Sequence, residues 1–356
     1  SPMAITSVPY QGRPACAPCG FCAGFGCEFG AKSSPLPTII PQALATGKCE
    51  IRPGSYVRKI ETDPAGRVTG VKYFDADRKE IFQRARAVVV CANGAETPKL
   101  LLMSKSNRFP DGLANSSGVV GKYFMPNGGA MVGGMFEHEV NGSKVTHVSR
   151  VIHDIYQLDP KLGHQGGGGI DTRWDTYPAG FGIWGLPTTG PQWGREWKKL
   201  LRHGFNRSLY ALAHTTCLPI QSNSISLDPR LKDAWGLPAL RLTYAHDPRD
   251  LALYRFFEAR ANDLLVAAGA TTTWPLFPLD APPLPANHLL GTCRMGNAPK
   301  SSVTDKFHRA HDVPNLFIVS GASFVTSGRG QPTETIQALA FRAGEAIARW
   351  ARSETQ

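Results

Sequence analysis

Two short, uninterrupted apolar runs, Ala87-Val88-Val89-Val90 and Leu316-Phe317-Ile318-Val319, constrain this chain more than any other feature. Each has the length of a strand and lacks the alternation of a half-exposed one. Such runs read as strands buried on both faces, the signature of a helix-covered, largely parallel sheet. After the first run come the turn Asn93-Gly94-Ala95 and a helix through Leu102 and Met103, with Pro98 suited to its first turn. After the second, residues 335–352 form a long amphipathic helix with Ile336, Leu339, Ala340, Ala343, Ile347 and Trp350 on its apolar side.

Between these ends the texture changes. Residues 55–61 and 68–74 alternate like paired strands around the turn Asp63-Pro64-Ala65-Gly66. From about Tyr123 to Leu279, strand-like stretches such as 129–136 and 222–227 alternate with glycine-rich loops and tryptophans. Residues 250–268 read as an amphipathic helix, with Gly269 where a C-cap belongs. α/β material therefore flanks a β-rich block. We expect one α/β domain built from residues 1–122 and 281–356, interrupted by an antiparallel-sheet domain over 123–280.

With 356 residues, 42% hydrophobic and only 19% charged, the chain has enough apolar material for such cores and is not globally disordered. Its formal charge of +11 does not identify a nucleic-acid binder. The basic residues are scattered and no nucleic-acid module is present. Their densest group, Arg195, Lys198, Lys199, Arg202 and Arg207, accompanies Trp193, Trp197 and Leu201 at helical spacing. That pattern reads as a solvated face over a core stripe, with a docking face for a membrane or redox partner as the alternative.

Four ordered motifs carry the chemistry. They are Val88 to Leu102, with Ala92-Asn93-Gly94-Ala95-Glu96-Thr97-Pro98 at the centre; Asn287-His288-Leu289-Leu290-Gly291-Thr292-Cys293-Arg294-Met295-Gly296; Val313 to Ser323; and Gln331-Pro332-Thr333-Glu334-Thr335. In this order they resemble the glucose–methanol–choline (GMC) family of flavin oxidoreductases, most of all its bacterial sugar and sugar-acid dehydrogenases. The resemblance spans residues 13–348. It implies an FAD-binding Rossmann-like domain, incomplete at its N-terminal side, with an inserted substrate domain, and an enzyme oxidising the CH–OH group of a sugar, sugar acid or polyol.

Alcohol oxidation by a flavin needs a base for the hydroxyl proton while hydride leaves carbon, a task suited to histidine. By resemblance His288 is that base. Gln331 stands where the family has a second polar residue, His or Asn, and can hydrogen-bond substrate oxygen without sharing proton transfer. The resemblance also assigns cofactor contacts. Val57 and the turn at Ala92 and Gly94 fall to the adenosine half, Gly321 and Ala322 to the ribityl–pyrophosphate region, and Pro332 and Thr333 to the isoalloxazine. His214, His246 and His308 read as ordinary surface or core histidines, and Cys293 as a small hydrophobe.

Four of the eight cysteines lie in one loop, Cys16-x2-Cys19-x2-Cys22-x4-Cys27. The first three have a spacing used by iron–sulfur clusters, and the related sugar dehydrogenases carry a cluster near the flavin. Zinc, and disulfides or buried thiols, remain open alternatives. If a cluster forms, electrons leave the flavin for a cytochrome or quinone; a dioxygen-using oxidase is the competing expectation.

A dinucleotide-binding domain also needs a strand, a Gly-x-Gly-x-x-Gly turn and a helix. Gly24-Phe25-Gly26 is the nearest match, but no strand precedes it and the next glycine is Gly30. We therefore expect the C-terminal portion of a longer or split flavoenzyme, or a fragment inactive alone, whose N-terminal unit is on the order of 150–200 residues. The family implies a small alcohol or sugar substrate and a cytochrome c or small chaperone-like partner subunit. It also implies a periplasmic or inner-membrane-associated setting reached through a partner, with the cytoplasm as alternative.

Overall fold

The computed structural model describes residues 3–157, 160–164, 166–174, 176–280, 282 and 287–354. In chain order the first elements are α1 (Ile39–Ala45), β1 (Tyr56–Thr62), β2 (Val68–Phe74), β3 (Glu80–Arg84), β4 (Val88–Val90) and α2 (Glu96–Met103). Next come β5 (Gly128–Met135), β6 (Val148–Ile152), β7 (Gly168–Arg173), the single turn α3 (Pro178–Gly180), α4 (Gly194–Gly204), β8 (Ser208–Thr215), β9 (Ser224–Lys232) and β10 (Pro238–Thr243). The chain ends with α5 (Pro248–Ala267), β11 (Thr272–Pro275), β12 (Leu316–Ile318) and α6 (Thr333–Ser353).

The chain divides into two compact units. One comprises Ser1–Ile51, Gly128–Thr215 and Pro248–Pro283; the other comprises Arg52–Asn127, Thr216–Asp247 and Leu284–Gln356. The sequence boundary expected at 280/281 falls beside residues outside the described set.

The first unit is built on a five-stranded antiparallel sheet of order β11-β5-β8-β7-β6. One face, with Val132, Ile170, Ala211 and Ala213, packs on Leu253, Phe257, Ala261 and Leu265 of α5. That is the helical stripe the 3.6-residue period anticipates. A second core gathers Met131, Trp174, Phe181, Tyr210 and Trp274, against which Trp197, Leu200 and Leu201 of α4 lie. Arg195, Lys198, Lys199 and Arg202 of α4 are exposed over a core stripe of Trp197 and Leu201, but Trp193, expected in that stripe, precedes the helix and is 85% exposed.

Alternation along β7 puts Asp171 and Arg173 on one face of the sheet. Arg173 donates Nε and Nη2 to the two Asp171 oxygens at 2.5 Å, and His214 Nε2 on β8 lies 3.3 Å from Asp171 Oδ2. Burial alone would push the Asp171 carboxyl up, but His214 and Arg173 bring it down to about 2. A depressed carboxyl adds stability that is complete above the ordinary value near ~3.9 and is lost as pH falls through about 2. Asp171→Asn is expected to cost about 3–5 kcal/mol at neutral pH, because it removes the carboxylate that balances the charge of buried Arg173. Thermal unfolding checks this: the gap to wild type should narrow as pH falls toward the Asp171 value.

The second unit contains the meander β1-β2-β3, the hairpin β9-β10 and the parallel pair β12-β4. The parallel pair joins the two apolar runs read from opposite ends of the chain. β12 is buried throughout, as expected. β4 is not: Val90 is buried, but Val89 is 41% exposed. Among the described residues β4 pairs only with β12, so its burial is one-sided. Lys99 of α2 is buried and pairs with Asp233 (2.8 Å) and the Tyr56 hydroxyl (3.1 Å), tying α2 to β1 and to the turn after β9.

Candidate active site

Residues 288–295 form an extended strut through the second unit, and the motifs meet on it. Leu290 exchanges two backbone hydrogen bonds with Met125, each 3.0 Å. Gly94 N–H donates to the Leu289 carbonyl (3.2 Å), Gly291 N–H to Gly321 O (3.0 Å), and Cys293 N–H to Ala322 O (2.8 Å). Two left-handed residues turn the strut, Gly291 at φ +74° and Thr292 at φ +76°. A β-branched residue rarely adopts that conformation. Here its hydroxyl donates to Gly94 O at 2.8 Å, its N–H to Lys122 O at 3.1 Å, and its carbonyl accepts from Gly121 N–H at 2.7 Å.

Glycine is required at two of these joints. A Cβ on Gly94 would lie 2.5 Å from Leu289 O, and one on Gly291 only 2.1 Å from Tyr123 O. The tight-turn reading of Gly94 thus has a definite physical basis in strut packing. Cys293 within the strut and Ala322 beside it are fully buried, and burial pushes the Cys293 thiol far above its usual range. Ser320 closes the turn under Gly321–Ser323 by accepting from Ala322 N–H at 3.2 Å.

His288 opens the strut and is half-buried. Asn127, which nothing in the sequence singled out, reaches it. Its Nδ2 lies 3.3 Å from His288 Nδ1 and donates to the Gly330 carbonyl at 2.8 Å. Asn127 is 3% exposed and left-handed, at φ +37°. Gly330 leads directly into exposed Gln331, buried Pro332 and exposed Thr333 at the start of α6. Among the described residues no side chain caps that 21-residue helix, so its first-turn N–H groups stay available to an acceptor, with the positive end of the helix dipole behind them. The geometry therefore brings His288 and the Gln331–Thr333 segment together through one amide. Val57 lies on β1 at a register irregularity, and Ala92 accepts from Thr97 Oγ1 at 2.9 Å at the entry to α2.

These features fit the isoalloxazine side of a flavin: a histidine, an amide acceptor atom left over on Asn127, and an uncapped helix N-terminus suited to negative charge. The cysteine loop does not fit a cluster. Cys16 is pushed up by burial and by the neighbouring thiols of Cys22, Cys19 and Cys27. Yet among the described residues no three His, Cys, Asp or Glu side chains converge as a metal site, and no disulfide joins the four loop cysteines. Cys27 is instead pulled down, chiefly by the Lys32 backbone N–H. The Cys16 thiol feels the other three, so the loop gathers the sulfurs in one neighbourhood without arranging them as a ligand set. His308 is a core histidine, its Nδ1 2.9 Å from Ile318 O and its ring kept toward the neutral form by burial. No helix among the described residues is long and apolar enough to cross a membrane.

Comparison with known proteins shows the family. Two family models, both described as GMC oxidoreductase, match residues 6–124 and 219–340. A 2-methyl-1,2-propanediol dehydrogenase of Mycolicibacterium austroafricanum is 38% identical over 353 residues, covering 97% of this chain and 62% of that protein. The fructose dehydrogenase large subunit of Gluconobacter japonicus is 31% identical, again over 97% of this chain and 62% of the relative. The chain thus spans about three-fifths of the length of these relatives. In fold it resembles a formate oxidase of Aspergillus oryzae RIB40 studied for its FAD modification, at TM-score 0.59 and 15% identity over 84% of this chain and 60% of the other. With its motifs converging on one strut and both family models matched in order, the chain belongs to the GMC oxidoreductase family.

Proposed function

We propose that the chain is part of an FAD-dependent enzyme that oxidises a CH–OH group of a small polyol or sugar-type alcohol. The observation that carries this reading is the linkage of His288, through Asn127, to the uncapped N-terminus of α6. Bound FAD would supply the hydride acceptor. His288 takes the hydroxyl proton, and Gln331 hydrogen-bonds the substrate oxygen. Pro332 and Thr333 line the ring side of the cofactor, and the α6 dipole favours negative charge there. Val57, Ala92 and Gly94 serve the adenosine half, and Gly321 and Ala322 the ribityl–pyrophosphate region.

The substrate class is supported by the relatives' names, a diol dehydrogenase and a fructose dehydrogenase subunit. Both are dehydrogenases, which favours an acceptor other than dioxygen, such as a cytochrome or quinone partner. The test is a panel of diols, polyols and sugars offered to protein supplemented with FAD, with an artificial dye and with dioxygen as alternative acceptors. Dye reduction without peroxide is the expected result. Peroxide at comparable rates would make it an oxidase, and no turnover with any hydroxyl compound would overturn the reading.

A further inference from the structure

Asn127 is more than a tie between two loops, and the reason lies in the chemistry of its carboxamide. The Gly330 carbonyl can only accept, so the atom 2.8 Å from it must be the NH2 end of the amide and not the oxygen. Turning the amide end for end would set two oxygens against each other. With Nδ2 fixed, its second hydrogen is directed to His288 Nδ1, 3.3 Å away, which must then offer a lone pair. The Oδ1 atom, meanwhile, is buried and has no hydrogen-bond partner among the described residues. An unpartnered buried amide oxygen is unfavourable, so this orientation is held against a penalty. The left-handed backbone at Asn127, φ +37°, adds to that cost.

We infer that Asn127 is a positioning residue that selects the tautomer of neutral His288, leaving Nδ1 bare and the ring hydrogen on Nε2. This rests on the proposal that His288 handles the substrate proton, and it adds a condition to it. In the selected tautomer Nε2 presents an N–H, suited to holding the oxygen of an alcohol or alkoxide. Taking a proton onto Nε2 requires that nitrogen to be bare, with the ring hydrogen on Nδ1. The carboxamide must then turn and present Oδ1, a turn that gives up its bond to Gly330 O and requires that carbonyl to move away. Asn127 thereby couples the protonation state of His288 to the loop that starts α6.

The test needs no turnover. The full chain is labelled with 15N-histidine, and long-range 1H–15N correlations are recorded at a pH above the usual histidine range, with His288→Ala to assign the ring. Wild type is expected to show a bare, pyridine-like Nδ1 and a protonated Nε2. Asn127→Asp, nearly the same shape but acceptor-only, should invert the pair and protonate Nδ1. Asn127→Ala should weaken the preference for a bare Nδ1. A protonated Nδ1 in wild type would overturn the inference by itself, whatever the variants' folding. An unchanged tautomer in folded Asn127→Asp would do so as well, since a purely structural tie would move stability and not the ring hydrogen. Should His288→Ala still reduce flavin normally, the proposed role of His288 fails while the tautomer result stands. The reverse pattern removes only the role of Asn127.

Discussion

In FAD-loaded protein, His288→Ala is expected to slow reduction of the flavin by a polyol about 10²–10⁴-fold while flavin binding persists. The size follows from the loss of a positioned proton acceptor, which supplies several kcal/mol of the barrier reduction in general acid–base catalysis. Binding should persist because His288 is half-buried at the end of the strut, and the backbone bonds that hold the strut do not involve its ring. Rapid mixing without dioxygen reads the flavin directly, free of any acceptor. Normal reduction in the variant would put the proton acceptor elsewhere.

The second large effect concerns stability. Gly291→Ala is expected to destabilise the second unit by about 3–5 kcal/mol, among the largest losses a single substitution produces. Two independent costs add. A left-handed backbone costs a side-chain-bearing residue about 1–2 kcal/mol, and the new Cβ would lie 2.1 Å from Tyr123 O. That carbonyl cannot retreat cheaply, because Lys122 O accepts from Thr292 N–H on one side and Met125 pairs with Leu290 on the other. Gly24→Ala is the control: its φ is +77°, yet nothing lies within 4 Å of an added Cβ. It should lose only about 1 kcal/mol. Equal melting temperatures for the two variants would show that the strut is not tightly held.

Much of this architecture could be read from the residues. The period of residues 250–268 anticipates α5, and the apolar runs at 87–90 and 316–319 anticipate a parallel pair from distant parts of the chain. His288, Gly321 and Thr333 stand out because they lie in contiguous motifs. Asn127 does not: Pro126-Asn127-Gly128 reads as an ordinary turn, and both its partners are more than 150 residues away. Asp171 and Arg173 share a strand face by simple alternation, but His214 joins them only through the β7–β8 register. The exposure of Val89 was hidden for a related reason, since an apolar run reports what a strand is suited to, not which neighbours cover it. In the cysteine loop, linear spacing was equally silent about whether sulfurs converge.

Oxidation of a CH–OH group by a bound flavin, served by His288 and the α6 N-terminus, is tested by mixing FAD-loaded protein with a vicinal diol or polyol in the absence of dioxygen and any other acceptor. The flavin's visible absorbance should bleach, with the matching carbonyl compound formed in equal amount. Flavin that stays oxidised across a panel of diols, polyols and sugars would contradict it.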